Sequence, residues 1–313
     1  MKNKIYWRSL VLGMIILGAG ANIIPTVLSK QPQELIPEKS LMTTWIVDNE
    51  GDGDFTTIQA AIDNAITGDI IEVYSGTYYE NLLINISIDL EGKNTEYLSG
   101  TDSGKPVISG VALNNVISII TNNQNEPVKV SGFAVQNSGD NHAGIYIQYS
   151  KSVTVSYNDV TQNHHGIELY YCQNDNLQEN FIAFNEYGIF SEFSDHCVIT
   201  LNHIENNSYG IHSSISNLMT ITQNEIKDSQ DGFGLIFVES SGNQVSYNNF
   251  INNNRQAWFK NCFNFWHDNY WSNRPKIIPI YIIIGAIQST IIPVLKIPFP
   301  QFDLRPAATP YDI

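Results

Sequence analysis

Residues 163–189 read NHHGIELYYCQNDNLQENFIAFNEYGI, and this stretch begins and ends with the same pattern, Asn-x-x-Gly-Ile. The glycine of the pattern recurs every 22 residues and is always followed by isoleucine, at Gly144, Gly166, Gly188 and Gly210. A series of asparagines has nearly the same period, at Asn158, Asn180, Asn202, Asn224, Asn248 and Asn269. Two independent series with one period indicate a chain built of structural repeats.

Each repeat is predicted to consist of short strands. The segment GIYIQYSKSVTVSYNDV at 144–160 alternates β-branched and polar residues, and turn residues separate its apolar runs. Three short strands with their turns use about 22 residues, which fits one coil of a parallel β-helix whose coils stack about 4.8 Å apart. The repeats therefore predict an all-β solenoid in which equivalent residues of successive coils lie on one another.

Stacking assigns a role to each repeated residue. The glycines would supply, at one bend of every coil, a backbone conformation that other residues reach only with strain, and Ala257 would stand in for glycine near the end. Each asparagine would accept a hydrogen bond from one neighbouring coil and donate to the other. The predicted inward residues are Val155, Leu177, Ile199, Ile221 and Val245 on one strand and Ile145, Ile167, Ile189 and Ile211 on another.

The predicted solenoid covers residues 45–271 and begins with a candidate cap. Apolar residues form a stripe over 57–65, so a short helix there would cover the first coil and protect its edge. Residues 31–44 are predicted to be a linker that leads into this domain.

The periodicity stops after Trp271, where an apolar segment begins. We expect residues 272–313 to form an extended tail that covers the last coil. A membrane span over 277–297 is the alternative, against which stand Pro279, Pro293 and Lys296. A cap at both ends would leave no open edge on the solenoid.

The N-terminus and the charge balance predict an exported protein. Lys2, Lys4 and Arg8 precede an apolar run, so residues 1–30 are predicted to be a signal peptide or an uncleaved anchor, and only an anchor would involve the membrane. The formal net charge is −15, and no basic cluster could neutralise phosphates, which excludes a nucleic-acid partner. Three cysteines lack the spacing of a metal or redox motif and are predicted to be buried small side chains.

Two segments carry a resemblance to known proteins. GDGDFTTIQAAIDNA at 51–65, with GDIIEVYSGTYYENLLI at 68–84, resembles the opening of right-handed parallel β-helix proteins of the pectin-lyase-like class. Coils such as NFIAFNEYGI at 180–189 resemble the parallel β-helix (PbH1) repeats of the NosD-like family, which is common in archaeal surface proteins. The resemblance implies a right-handed coil and a surface location, but this fold carries lyases, hydrolases, epimerases and adhesins and so implies no single activity.

The outward positions that follow each Gly-Ile pair predict a face for an extended polymer. The aromatic and amide side chains expected there suit stacking on sugar rings and bonding to hydroxyls, and they are Tyr146, Gln148, Tyr170 and Phe190. Glu168 and Glu192 would lie on adjacent coils, within the range of the paired carboxylates of glycoside hydrolysis. His212 completes this candidate catalytic set. An ordinary solvated strand face would show the same alternation.

Residues two positions before the glycines predict a candidate metal site. Stacking would bring His142 and His164 close together, with Glu186 on the next coil as a third ligand for a divalent metal. The resemblance to NosD-like proteins implies copper. The segment DNEGDGDF at 48–55 resembles part of a calcium loop, but it lacks the remaining ligands and is better interpreted as a turn.

These observations favour an exported cell-surface module that binds or adheres to glycans, or that serves as a persistent structural element. A polysaccharide lyase, hydrolase or epimerase acting on the exposed face is one alternative. A copper-binding protein of the NosD type is the other. The catalytic motifs of pectin methylesterases, polygalacturonases and pectate lyases are absent from the sequence, which weighs against an enzyme of those families.

Overall fold

Short strands make up nearly all of the regular structure in the computed structural model of the chain, which describes residues 42–111, 114–122, 127–275, 280–288 and 296–313. The predicted signal peptide or anchor and most of the predicted linker lie outside these residues. No helix among the described residues is both long enough and apolar enough to cross a lipid bilayer.

The chain contains one helix and a regular succession of strands within the described residues. In chain order they are β1 (Thr44–Val47), α1 (Ile58–Asn64), β2 (Ile70–Val73), β3 (Thr77–Tyr79), β4 (Leu82–Ile84), β5 (Asp89–Gly92), β6 (Val107–Ser109), β7 (Ile117–Ile120), β8 (Val128–Ser131), β9 (Ala134–Gln136), β10 (Ala143–Gln148), β11 (Val153–Ser156), β12 (Asp159–Thr161), β13 (His165–Tyr170), β14 (Asn176–Gln178), β15 (Phe181–Ala183), β16 (Tyr187–Glu192), β17 (Val198–Thr200), β18 (His203–Glu205), β19 (Tyr209–Ser214), β20 (Thr220–Thr222), β21 (Glu225–Lys227), β22 (Phe233–Val238), β23 (Gln244–Ser246), β24 (Asn249–Ile251), β25 (Arg255–Lys260), β26 (Phe265–His267), β27 (Tyr270–Trp271), β28 (Tyr281–Gln288) and β29 (Lys296–Asp303).

The strands form three parallel faces that run along the solenoid. The first face contains β4, β7, β10, β13, β16, β19, β22, β25 and β28, and the second runs from β1 through β2, β5, β8 and every third strand to β26. The third face contains every third strand from β3 to β27. Each strand pairs in parallel with its equivalent in the next coil, for example Ile145 with Ile167 and Ile167 with Ile189. The predicted parallel β-helix of roughly 22 residues per coil is confirmed, with about 11 turns.

The inward side chains form one continuous apolar core. Every predicted inward residue is fully buried, including Val155, Leu177 and Ile199 on the second face and Ile145 and Ile167 on the first. Burial of one such side chain contributes about 1.5–3 kcal/mol to stability. Since equivalent residues stack, the core extends from coil to coil without interruption.

Each regular coil bends at corner residues that adopt the left-handed backbone conformation. In one coil these are Tyr149, Ser152, Tyr157 and Gln162, with φ between 49° and 67°. The equivalents in the next coil are Tyr171, Asn174, Glu179 and Phe184. A corner side chain points outward, while the residue after it is buried, as at Ser150, Val153, Asn158 and Asn163.

The asparagine series forms a hydrogen-bonded ladder through the solenoid. Asn180 donates from its backbone N and from Nδ2 to Asn202 Oδ1, both at 3.0 Å. Its Nδ2 also donates to the backbone oxygen of Val155 at 2.9 Å. The ladder ends at Asn269, whose N and Nδ2 donate to Asp303 Oδ2. Each amide thereby satisfies corner backbone that lies inside the fold.

A second asparagine ladder, which the sequence reasoning missed, runs along another corner. Asn163, Asn185 and Asn207 repeat the same bonds, with Asn185 N donating to Asn207 Oδ1 at 2.9 Å. At the next coil Ser229 takes the equivalent position, and Asn253 resumes the series. The signal for this ladder was the same 22-residue spacing.

Substitution of Ser229 by asparagine is expected to raise the free energy of unfolding by about 1 kcal/mol. Ser229 is 1% exposed and its Oγ has no hydrogen-bond partner among the described residues, because the serine is too short to continue the ladder. Chemical denaturation would measure the gain. Ser241→Asn, at an exposed position, is the control, and an equal effect in both variants would contradict a specific repair of the ladder.

The glycine series has a different cause from the one expected. Gly144, Gly166, Gly188 and Gly210 are absent from the glycines with positive φ, so the expected bend conformation is wrong. A Cβ atom on Gly188 would instead lie 2.6 Å from the backbone oxygen of Gly210 and 2.9 Å from Ile204 Cγ2. The glycines are required because neighbouring coils and faces approach too closely for a side chain.

The assignment of Ala257 to the glycine series is also wrong. Ala257 is in register with Leu235, an inward position, which places Gln256 opposite Gly234. The buried Gln256 side chain accepts a hydrogen bond from Asn253 Nδ2 and donates one to Ser272 Oγ.

The helix α1 covers the first coil, as predicted. Ile58, Ala61 and Ile62 are buried in the core. The carboxylate of Glu80 accepts hydrogen bonds from the backbone N of Ile58 and Gln59, both at 2.9 Å. This contact satisfies helix N–H groups that lack partners within the helix.

The C-terminal cap is a hairpin rather than a single extended tail. Strands β28 and β29 pair antiparallel from Tyr281 with Asp303 to Gln288 with Lys296. Ile283 on the inner side is 1% exposed, and the Tyr281 ring stacks on Trp271 with ring centroids 4.2 Å apart. The alternative of a membrane span over 277–297 falls partly outside the described residues, and residues 281–288 and 296–297 within it are strand.

Candidate functional site

Outward side chains on β13, β16 and β19 form an aromatic patch on the first face, consisting of His165, Tyr187, Phe190, Tyr209 and His212. The rings of His165 and Phe190 stack at 4.8 Å, as do those of Tyr187 and Tyr209. Phe190 meets His212 edge to face at 5.1 Å. The rings lie on three successive strands of one sheet, and the pairing of β13 with β16 and of β16 with β19 fixes their positions.

Corner residues add a second row of rings beside the patch. Tyr149, Tyr171 and Phe193 stack in succession at 5.4 and 4.7 Å, and Tyr170 packs edge to face on Tyr171. The sequence reasoning named Tyr170 but missed the other three. Their 22-residue spacing was visible, but only the left-handed corner conformation shows that such side chains point outward.

Burial lowers the pKa of His212 to about 4, and the nearby charge of His165 acts in the same direction. The imidazole is therefore neutral at neutral pH. Its Nδ1 is buried without a hydrogen-bond partner among the described residues. A neutral imidazole next to Phe190 contributes an aromatic surface and a weak base rather than a charge.

The free energy of unfolding is expected to fall as the pH drops from about 6.5 to about 4, partly because of His212. In that window the unfolded chain binds a proton at this residue and the folded chain does not. In His212→Phe the loss of stability over the window should be smaller than in the unmodified protein. Urea denaturation at both ends of the window measures the difference, and identical losses would contradict the assignment.

A cleft of about 740 Å³ opens at the corner that carries the second asparagine ladder, next to the aromatic patch. Its lining residues are Phe184, Asn185, Glu186, Asn206, Asn207, Ser208, Tyr209, Asp228, Gln230 and Asp231. Phe184 is 60% exposed and forms part of the wall. Tyr209 belongs to both surfaces, so this corner cleft and the aromatic patch form one continuous site.

The cleft exists because one coil is longer than the others. The glycine spacing increases from 22 residues to 24 between Gly210 and Gly234, and the same change separates Asn224 from Asn248. The additional residues extend the corner, where Gln230 and Asp231 line the cleft. Gly232 fits here because a Cβ atom would lie 2.4 Å from the Tyr209 ring.

The register places the three candidate catalytic residues in two columns. Glu168, Phe190 and His212 are in register on successive strands, so the backbones of Glu168 and His212 are about 9–10 Å apart. Glu192 lies in the next column, in register with Tyr170. Glu168 Oε2 is 2.6 Å from His165 Nδ1 and is therefore already engaged by another side chain.

The remaining residues of the predicted sugar face lie on β10. Tyr146 is in register with Glu168, and Gln148 is in register with Tyr170. Burial, with Glu168 nearby, raises the pKa of the Tyr146 hydroxyl, which keeps it protonated. Both side chains extend the outward columns of the patch by one coil.

The candidate metal ligands are only partly brought together. His164 Nε2 is 3.1 Å from Glu186 Oε2, but His142 does not join them in a group whose donor atoms all lie within 4.8 Å. Among the described residues, such a group is formed by Glu50, Glu96 and Asp102. It offers oxygen atoms alone.

A copper site does not fit the side chains observed. Copper favours imidazole, thiolate and thioether ligands. Every histidine and cysteine lies within the described residues, and no three of them gather with their donor atoms within 4.8 Å. Burial raises the pKa of Cys172 to about 12 and that of Cys197 well above its usual value, which keeps both thiols protonated inside the core.

The segment 48–55 forms a turn. Asp48 Oδ2 accepts from the backbone N of Asp52 at 3.0 Å, and Asp54 Oδ2 accepts from Ile46 N at 2.9 Å. These carboxylates hold the turn through their own backbone contacts.

Solved structures similar to this chain have low sequence identity to it. The complex structure of XylC with xylose has a TM-score of 0.54 and 13% identity, covering 72% of this chain and 66% of that one. ORF18 of Geobacillus virus E2 has a TM-score of 0.43 and 14% identity, with 75% and 58% covered. An alginate lyase from Paenibacillus has a TM-score of 0.38 and 13% identity, with 71% and 95% covered. This chain spans less than two thirds of the first two, and the likeness to the xylose complex shows a shared fold alone.

A family model, in contrast to these structures, identifies the family of the chain. No curated protein is significantly similar to the chain. The model of the family described as periplasmic copper-binding protein (NosD) matches residues 62–287, which is most of the sequence and nearly the whole solenoid. The chain therefore belongs to the NosD family.

Proposed function

We propose that this protein binds a glycan, without cleaving it, in the corner cleft and along the aromatic patch. The observation that carries the proposal is the composition of the cleft, in which the exposed ring of Phe184 and the partly buried ring of Tyr209 lie among amides and carboxylates. Sugar rings combine apolar C–H surfaces with hydroxyl groups. They are recognised by aromatic surfaces with a few polar groups placed around them.

The polar side chains that line the cleft can donate hydrogen bonds to the hydroxyl groups of a sugar and accept hydrogen bonds from them. Asn206 and Gln230 each offer an amide donor and an amide acceptor, and Ser208 offers a hydroxyl. The supporting backbone is rigid, because Asn185 and Asn207 bind each other and the strand below them. A preformed site loses little conformational entropy when a ligand binds.

The aromatic patch would extend the site along the solenoid axis. Its rings lie on three successive strands spaced about 4.8 Å apart, so it spans about 10 Å beyond the cleft. Gln148, Tyr170 and Glu192 flank the patch in the neighbouring column. A surface of this length suits an oligosaccharide better than a single sugar.

Phe184→Ala is expected to weaken glycan binding about tenfold or more, because the ring is 60% exposed and forms a wall of the cleft. Affinity electrophoresis of the full chain in gels that contain different polysaccharides would identify a retained glycan and measure the loss.

Leu201→Ala is the matched control, since Leu201 is an exposed apolar residue in the left-handed conformation at a corner outside the cleft. It should retain the affinity of the unmodified protein. Equal binding by Phe184→Ala and the unmodified protein would exclude the cleft as the glycan site.

Catalysis on the same surface is the alternative. The neutral His212 in one column with Glu168 favours it, since a neutral imidazole can accept a proton. If the protein is a hydrolase or lyase, new chain ends should accumulate with a bound polysaccharide and disappear in Glu168→Gln. Retention of the polysaccharide without new chain ends supports binding alone.

We also propose that the protein acts outside the cytoplasm. The basic residues Lys2, Lys4 and Arg8, followed by an apolar run, support export, and the family description names the periplasm. Fractionation of cells that produce the chain would test the location. Recovery of the intact, unprocessed chain from the cytoplasm alone would contradict it.

A further inference from the structure

We infer that the ligand of the corner cleft carries positive charge and belongs to the amino sugars, as in an oligomer of glucosamine. This inference rests on the proposed function, because it concerns the same cleft. Three carboxylates line it, from Glu186, Asp228 and Asp231. Among its described lining residues there is no lysine, arginine or histidine.

Two of the three carboxylates remain free of ion pairs with the described residues. The Asp228 side chain forms no hydrogen bond or ion pair with any of them, and Asp231 Oδ2 accepts a hydrogen bond only from Ser208 Oγ, at 3.3 Å. The Glu186 side chain is 49% exposed, and its Oε2 lies 3.1 Å from His164 Nε2. The cleft therefore presents the negative charge of Asp228 and Asp231 without a cationic side chain beside them.

The lysine adjacent in sequence does not neutralise this charge. Lys227 Nζ lies 2.7 Å from Glu225 Oε1 and 3.0 Å from Glu205 Oε2 on the third face. These two carboxylates and His203 form an ion-pair network that is complete without the cleft. Lys227 is therefore not available to pair with the carboxylates of the cleft.

The aromatic walls distinguish an amino sugar from other cations. The rings of Phe184 and Tyr209 can contact the C–H face of a sugar and also attract an ammonium group through their π electrons. A sugar carrying a carboxylate would meet three like charges at the same place. The cleft thus combines attraction for a glucosamine unit with exclusion of a uronate.

Isothermal titration calorimetry of the full chain would compare hexamers of glucosamine, N-acetylglucosamine and galacturonate. At mildly acidic pH and low salt, the glucosamine hexamer is expected to bind at least about tenfold more tightly than its acetylated form, because acetylation removes the charge and keeps the ring. The difference should shrink as salt is added. The galacturonate hexamer should show no binding.

Asp228→Asn combined with Asp231→Asn should lower the affinity for the glucosamine hexamer about tenfold and leave the acetylated hexamer unaffected. Asp63→Asn combined with Asp312→Asn removes the same charge at exposed positions near the two ends of the solenoid and is the matched control. Circular dichroism would establish that both variants fold.

The outcomes separate this inference from the proposed function. Equal affinity for the charged and acetylated hexamers, or an equal loss in the two double variants, would overturn the amino-sugar assignment while glycan binding stands. Tight binding of the galacturonate hexamer would overturn it as well. If no hexamer or polysaccharide binds, the proposed function itself fails.

Discussion

Asn202→Ala is expected to lower the free energy of unfolding by about 4 kcal/mol. Asn202 Nδ2 donates to the backbone oxygens of Leu177 and Thr200 and to Asn224 Oδ1, at 2.8–3.0 Å. Its Oδ1 accepts from both N and Nδ2 of Asn180. Alanine would leave the backbone N of Asn180 without its acceptor and would remove the amide donor from Leu177, Thr200 and Asn224, at a fully buried position where water cannot replace the amide.

Chemical denaturation of Asn202→Ala, followed by circular dichroism, would measure the effect. Asn254→Ala is the matched control, because Asn254 is exposed and its side chain has no hydrogen bond with a described residue. The control should change the free energy of unfolding by less than about 0.5 kcal/mol. Similar losses in the two variants would show that the ladder contributes little.

Gly188→Ala is expected to lower the free energy of unfolding by about 3 kcal/mol. The added methyl group would lie 2.6 Å from the backbone oxygen of Gly210, 2.9 Å from Ile204 Cγ2 and 3.0 Å from Asn207 Nδ2. All three belong to the next coil, so the coils would have to separate and both ladders would be strained. Thermal unfolding and limited proteolysis would detect the weakened junction, since each coil is stabilised by its neighbours.

Gly104→Ala is the control, because glycine at this position is explained by the backbone conformation and not by close packing. Nothing lies within 4 Å of a Cβ atom at Gly104, but its φ of +90° is strained for alanine. It should cost only about 1–2 kcal/mol, through the backbone alone. A larger loss at Gly104 than at Gly188 would contradict the conclusion that close packing, rather than backbone conformation, selects glycine in the repeat.

The comparison of these glycines shows how far a repeated residue can be interpreted from sequence. The spacing of Gly188 and Gly210 correctly indicated a stacked coil, but it does not distinguish a special φ from a lack of space. That distinction depends on Ile204, which belongs to another face of the solenoid. The misplacement of Ala257 has a similar origin, since register is set by pairing with Leu235.

Some residues of the candidate site could be predicted from the sequence, and others could be found only in the structure. Tyr170, Phe190 and His212 were expected on an outward face because alternation along a strand is visible in the sequence. Phe184 and Tyr171 were missed because corner residues do not alternate, and only their positive φ directs them outward. The oxygen-only group of Glu50, Glu96 and Asp102 joins segments far apart in sequence, so spacing could not reveal it.

By itself the sequence determined the parallel β-helix, its period, its apolar core, the first asparagine ladder and the family, because each depends on a residue type returning at a constant interval. The tertiary structure alone decided where the corners direct their side chains, which glycines are crowded, and how the longer coil opens a cleft. It also showed that the predicted metal ligands do not all converge. These features depend on distances between coils and faces, and such distances follow from packing rather than from the order of residues along the chain.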